Sequence, residues 1–223
     1  MAKLWLSSLR DKAMQDIPTI WFNAKPITAA QQNPVAKYLR AKGIYDFAGA
    51  DLRYSRNSPV PNPCPEIVAP VAKWPALTAK ITDNKGRMVG LFRRYLSENG
   101  TARESFTLLG EHAIIPARKV QWLTKGPQLS AAIRLFEPVG GKVGIVHGIE
   151  NALLLHQKTG LPMWAIEWGF AGLVLEKSIK DVVLFAGESP RHIAGARCLA
   201  IRLRANGFNV SIKPIKHPLT QAA

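Results

Sequence analysis

Apolar and polar positions follow two textures along the chain, and the change falls near Pro138. After it, short continuous apolar runs alternate with stretches of helical spacing. Lys142 to Val146 is an apolar run that ends in His147-Gly148, and Ile149 to Lys158 follows with apolar residues at helical intervals. Pro162 to Ile166 and Asp181 to Ala186 repeat the run. Val182-Val183-Leu184-Phe185 is apolar throughout, as a strand covered on both faces requires. Arg191 to Ala205 reads as a long helix closed by Asn206-Gly207, and Phe208 to Lys213 as a fourth strand. This order predicts a parallel sheet with helices on its faces, hence an α/β domain over residues 138–223. Such sheets bind ligands at the carboxyl ends of their strands. The residues there are His147, Glu150 just beyond it, Glu167, Gly187, Glu188 and Ser189.

Residues 1–137 predict an α+β module. The first 45 or so positions read as helical, most clearly from Asn33 to Ile44, where Asn33 suits the N-cap, Pro34 the first turn and Gly43 the C-cap. Prolines crowd the stretch from Ser58 to Pro75, which predicts an extended connector. Ala76 to Thr82 and Arg87 to Leu96 flank the turn cluster Asp83-Asn84-Lys85-Gly86, and Asn99-Gly100 leads into Thr101 to Leu108; the expectation is a β-hairpin extended to a three-stranded meander. Glu111 to Phe136, with Arg118, Lys119, Lys125 and Arg134, has no assignable pattern.

Composition narrows the function classes. A chain of 223 residues that is 47% hydrophobic and 20% charged is globular, and neither a disulfide-stapled scaffold nor a disordered tail. Lys and Arg number 30 against 15 Asp and Glu, a net charge of +15. Twenty basic and ten acidic residues lie up to Pro138, ten and five beyond it, so the excess is spread over a broad face. That favours a polyanionic partner, nucleic acid first, through counterion release. The cysteines, Cys64 and Cys198, stand alone, without the spacing of a zinc site or a disulfide framework. No apolar run suits a signal sequence or a membrane span, so the expectation is a soluble cytoplasmic protein with no membrane partner.

Several separated motifs, in order, resemble one family. Lys142-Val143-Gly144-Ile145-Val146-His147-Gly148-Ile149-Glu150-Asn151-Ala152-Leu153, Gly160-Leu161-Pro162-Met163-Trp164-Ala165, Val182 to Glu188, Gly195-Ala196 and Gly207-Phe208-Asn209-Val210 resemble the Toprim domain of plasmid and bacteriophage primases and primase-helicases. Tyr38 to Ile44, Trp74-Pro75-Ala76-Leu77 with its hairpin, Phe92-Arg93-Arg94-Tyr95-Leu96 and Ala131 to Leu135 are similar to the module that precedes Toprim there. The resemblance spans roughly residues 20–215 and implies a Toprim-like sheet behind a primase-associated module. It also implies a Glu-Gly pair after the first strand and an Asp-x-Asp after the third, whose carboxylates hold Mg²⁺ for phosphoryl transfer. Here these positions are His147-Gly148 and Gly187-Glu188-Ser189. The expectation is a degenerate site with no catalytic residue, no metal and no cofactor, in a protein of a mobile element acting on nucleic acid or a nucleoprotein complex. Two other readings stay open: a primase or nuclease fragment in which Glu150, Glu167 and Glu188 converge with His147 on Mg²⁺, Mn²⁺ or Zn²⁺, and an inhibitor that binds a host protein. For the three carboxylates and the imidazole, the structural alternative is that Glu150 and Glu188 cap helix N-termini while His147 makes an ordinary hydrogen bond. The zinc ribbon that commonly precedes this module and the P-loop of a helicase motor have no counterpart in the sequence, so a complete priming machine is not expected.

The candidate nucleic-acid contacts are Arg93, Arg94, Tyr95, Lys142, His147, Arg191 and Arg197. In Phe92-Arg93-Arg94-Tyr95, strand alternation puts Arg93 and Tyr95 on one face and Phe92 and Arg94 on the other, a combination suited to stacking a base and pairing a phosphate, or to core packing with solvated arginines. Trp21, Trp74, Trp122, Trp164 and Trp168 are stacking platforms or core. Arg197 and Arg204 share one face of the last helix, Arg202 another. Gly140-Gly141-x-x-Gly144 precedes its strand and reads as a turn, and Ser189 has no triad partner by spacing.

Overall fold

Pro26 cannot continue a helix, and it marks the first departure from the helical expectation. The computed structural model describes residues 17–28, 30–61, 72–107, 114–123 and 126–215. A helical stretch over 17–23 closes when Ala24 N–H bonds the Trp21 carbonyl, and the chain enters strand β1 (Lys25–Pro26). Helix α1 (Pro34–Ala41) follows as expected: Asn33 Oδ1 accepts from Ala36 N–H at 2.9 Å, and Gly43, with φ of 74°, bonds the Arg40 carbonyl.

The strands of the first half are β2 (Arg53–Val60), β3 (Ala72–Thr82), β4 (Met88–Tyr95), β5 (Ser105–Thr107), β6 (Ile114–Pro116) and β7 (Arg118–Trp122). One sheet has the order β1-β2-β3-β4-β7, and β5 with β6 forms a separate antiparallel ribbon. Two expectations are corrected here. The stretch from Ser58 to Pro75 is not all connector, since β2 runs through Pro59 to Val60 and β3 starts at Ala72; only its middle, 62–71, lies outside the described residues. Pro59 is tolerated because the β2–β3 register slips between Ser55 and Ser58, and β1 flanks β2 only at Arg53 and Tyr54. The meander is also wrong in its third strand. The turn after β4 is held locally by Ser97, whose N–H and hydroxyl both bond the Thr101 carbonyl. The chain then pairs Ser105–Thr107 with Ile114–Pro116 and gives the place beside β4 to β7.

The apolar runs after Pro138 become the strands expected of them. The elements are β8 (Ile133–Arg134), β9 (Lys142–His147), α2 (Ile149–Thr159), β10 (Met163–Ile166), β11 (Asp181–Ala186), α3 (Pro190–Ala205) and β12 (Asn209–Pro214). The sheet order is β12-β11-β9-β10-β8; its first four members are parallel, and β8 runs antiparallel on the β10 edge. Val143, Ile145, Val182 and Leu184 are buried with Trp164, Phe170 and Leu199 in one apolar core. The outcome is a mixed α/β fold: an antiparallel sheet module and a largely parallel sheet with helices.

The chain divides into two compact units made of interleaved stretches. One draws on the chain up to Tyr38, Leu52–Lys80 and Gly90–Pro127; the other on Leu39–Asp51, Ile81–Val89 and the chain from Gln128 onward. No helix among the described residues is long and apolar enough to cross a membrane.

Within the second unit, Arg134 on β8 joins three segments. Its Nη2 donates to the Asp83 carbonyl at 2.8 Å, its Nη1 pairs with Glu176 Oε1 at 3.1 Å, and its guanidinium lies 4.3 Å from the centre of the Trp164 ring. Asp83 builds the hairpin turn: Oδ1 accepts from Lys85 and Arg87 N–H, and Oδ2 from Arg87 Nε at 2.8 Å. Burial alone would raise the Asp83 carboxyl; the Arg87 side chain and these amides outweigh it and hold the pKa below its ordinary value. The turn contributes stability above the unfolded carboxylate pKa, and that contribution is lost as pH falls through the lower folded value. Replacing Arg134 by Ala removes a nearly buried charge and leaves Glu176 and the Asp83 carbonyl without it. The expected loss is about 3 kcal/mol in urea unfolding, and Asp83→Asn should flatten the acid limb of stability below the ordinary carboxylate pKa of about 4.

Candidate functional site

The ends of β9 and β10 and the start of α3 line a cleft in the second unit. β9 ends at His147; Gly148, with φ of 91°, turns the chain into α2, and Asn151 Nδ2 bonds the His147 carbonyl at 3.0 Å. β10 ends at Ile166 and passes into Glu167-Trp168-Gly169-Phe170. β11 ends at Ala186, and after Gly187 and Glu188 comes Ser189, the N-cap of α3, whose hydroxyl accepts from His192 N–H at 3.2 Å. The cleft has a volume of about 420 Å³, and its walls include His147, Glu167, Trp168, Phe170, Arg191 and His192. The His147 and His192 rings stack with centroids 4.9 Å apart and planes 26° from parallel.

Of the seven expected nucleic-acid contacts, two come together here: His147, half-buried, and Arg191, exposed. Arg197 lies further along α3 on its exposed face. Lys142 sits at the other end of β9 from His147, beside Asp181, Asn209 and Lys213. His192 was missed by the sequence reading; its signal was its place three residues after the capping serine. Glu150 occupies the first turn of α2, as the capping alternative expects, but the cap of α3 is Ser189 and not Glu188.

Arg93 and Tyr95 belong to the interior of the first unit, because β4 is flanked by β3 and β7 and covered on both faces. Arg93 is 1% exposed and Tyr95 and Phe92 are 0%; Arg94 is half-buried. Arg93 Nη1 donates to the Pro59 carbonyl at 2.6 Å and to Ser58 Oγ, its Nη2 donates to Gln121 Oε1, and the Tyr95 hydroxyl donates to the same Pro59 carbonyl at 2.6 Å. Cross-strand register sets Lys119 directly opposite Arg93. Three indoles also hold a cation of their own chain: Trp21 with Arg53, Trp74 with Arg103, and Trp164 with Arg134. Trp168 is the tryptophan that lines the cleft.

The residues at the positions where the Toprim resemblance implies carboxylates do not suit Mg²⁺. His147 brings a nitrogen, Ser189 Oγ is engaged as the helix cap, and Gly187 has no side chain; a Cβ there would lie 3.2 Å from His192 Nδ1. Among the described residues no three His, Cys, Asp or Glu side chains assemble into a metal-holding group.

Comparison with known proteins agrees on the fold. A family model for a domain of unknown function, DUF7146, matches residues 11–120. A search of the curated proteins finds no match. Among solved structures, the DnaG catalytic core superposes with a TM-score of 0.53 at 15% identity, over 94% of this chain and 72% of that one. The DnaG primase catalytic domain bound to single-stranded DNA gives 0.49 at 12% identity, over 96% and 74%. The primase fragment of the bacteriophage T7 primase-helicase gives 0.47 at 13%, over 79% of this chain and 65% of that one, so this chain spans just under two thirds of the fragment. The fold is similar to that of the DnaG catalytic core.

The Arg93 pair has a measurable signature. Burial, then the facing Arg93 charge, lowers the Lys119 pKa. A lysine depressed in the native state holds fewer protons than in the unfolded chain between the two pKa values, so stability rises with pH across that window. Arg93→Met should bring the Lys119 titration back up, read by NMR of its ε-methylene. Arg93→Ala should cost about 3 kcal/mol, since it opens a cavity and strips buried carbonyl and amide partners.

Proposed function

We propose that this chain is a catalytically degenerate Toprim-like protein of a bacteriophage or plasmid. It binds nucleic acid, or a nucleoprotein complex, through a basic face in a replication-related or regulatory role. One observation carries the reading: the strand ends where the resemblance implies oxygen ligands hold His147, Gly187 and Ser189, and the cleft beside them is lined by Arg191 and two imidazoles, with Glu167 as its carboxylate. Mg²⁺ keeps to oxygen ligands in octahedral geometry, and the chemistry it supplies, charge neutralisation at a phosphoryl group, needs carboxylates to hold it. The net charge of +15 supports a polyanionic partner independently. Exposed Arg191, Arg197 and Arg204 along α3 would contribute to the basic face.

Filter binding of single- and double-stranded oligonucleotides across a salt series tests this. Binding should weaken steeply with salt, a slope of several phosphate contacts on a double-logarithmic plot, and neither cleavage nor primer synthesis should depend on Mg²⁺. Turnover that needs a divalent ion and disappears in Glu150→Gln, Glu167→Gln or Glu188→Gln would return the enzyme reading. No binding at low salt would favour the host-protein inhibitor.

A gain-of-site variant tests the degeneracy. His147→Glu, Gly187→Asp and Ser189→Asp together should lower the melting temperature in chelator through mutual repulsion of the carboxylates. Added Mg²⁺ should restore it, by about 1.4 kcal/mol at tenfold excess over the dissociation constant. A melting temperature that ignores Mg²⁺ would count against the Toprim-like geometry.

A further inference from the structure

We infer that the cleft bordered by His147, Arg191 and His192 takes a terminal phosphate monoester of a nucleic acid strand directly, with no metal ion bridging it. This rests on the proposed binding function and specifies what enters that site. At the phosphate end, Arg191 contributes a guanidinium with no hydrogen bond or ion pair among the described residues, whereas two other arginines of α3 are engaged with carbonyls: Arg202 with Leu173 and Arg204 with Val210. A planar fork of N–H donors suits a phosphate, and a monoester offers three oxygens where an internal diester offers two. His147 and His192 face each other at 4.9 Å on the same side and add ring N–H donors. At Gly187 the missing side chain leaves His192 its place in the wall, since a Cβ would press on its Nδ1 at 3.2 Å.

The other end of the cleft is made for a base. Trp168 and Phe170 line it with aromatic surface. Stacking on an aromatic face is tolerant of base identity. A volume of about 420 Å³ falls in the lower part of the range for small-molecule sites, roughly 300–1,000 Å³, which suits one nucleotide and excludes a duplex. Glu167 also lines the cleft, and its carboxylate opposes an anion. Removing that charge should therefore strengthen binding, the opposite of its effect in a metal-dependent enzyme.

The experiment compares one fluorescent oligonucleotide with a 5′-phosphate, a 3′-phosphate or hydroxyl ends, by anisotropy in EDTA. A phosphorylated end should bind about tenfold or more tightly than the hydroxyl form. Arg191→Ala should abolish that preference, His192→Ala should reduce it, and Glu167→Gln should increase it. Lys158→Ala, which removes one exposed charge from the last turn of α2, should leave it unchanged. In parallel, a nucleoside monophosphate titrated in EDTA should shift the His147 and His192 ring resonances, whether or not longer strands bind. Equal affinity for phosphorylated and hydroxyl ends, a preference that vanishes in EDTA, or unmoved histidine resonances would overturn the inference. Salt-dependent binding that survives with no end preference would sink this inference and leave the proposed function standing; loss of all oligonucleotide binding would sink the function itself.

Discussion

A single guanidinium orders much of the second unit. Arg134 enters the fold on a two-residue edge strand, and its three contacts fix a hairpin turn, an indole and a loop at once. Trp164, under that guanidinium, is further tied by its Nε1 to the Phe136 carbonyl at 3.0 Å. The segment between β10 and Glu176 contains the wall of the cleft, from Glu167 to Phe170. It is strung between two points held by the same arginine, with Val174 N–H bonded to the Ser130 carbonyl part way along. The cleft therefore gets its shape from a residue that never lines it.

The cleft lies where the ends of parallel strands meet the start of a helix. Helices starting there leave backbone N–H groups and positive dipole ends, which favour anions. Where acidic side chains hold a divalent cation, that tendency is used indirectly, through carboxylates that the helix ends help to ionise. Here the start of α3 brings Arg191 and His192 to the cleft, beside His147. Glu167 sets a carboxylate on its wall among them.

The parallel sheet was legible because its central strands are apolar runs, and because Asn206-Gly207 closes the last helix at the expected place. The cleft was legible as a set of strand ends. His192 was not, since a histidine on a basic helix looks like any solvated residue until the turn at Ser189 aims it at His147. Arg93 misled for a related reason. Strand alternation sorts residues into two faces but does not say that both are covered, and a buried arginine reads the same as a surface one until its carbonyl acceptor is seen. The third strand of the meander failed because the partner that displaced it, Arg118–Trp122, lies beyond an intervening ribbon and carries no periodicity of its own.

The interleaving of the two units has a consequence for synthesis. The first is complete in sequence once Pro127 has been made, whereas the second takes Leu39–Asp51 and Ile81–Val89 from early in the chain and everything else from Gln128 onward. On a ribosome, those early pieces emerge long before the sheet they belong to exists. The turn at Asp83 is local enough to close alone, but the carbonyl it offers Arg134 must wait some fifty residues for its donor. Neither unit can be freed from the other by a single cut in the chain.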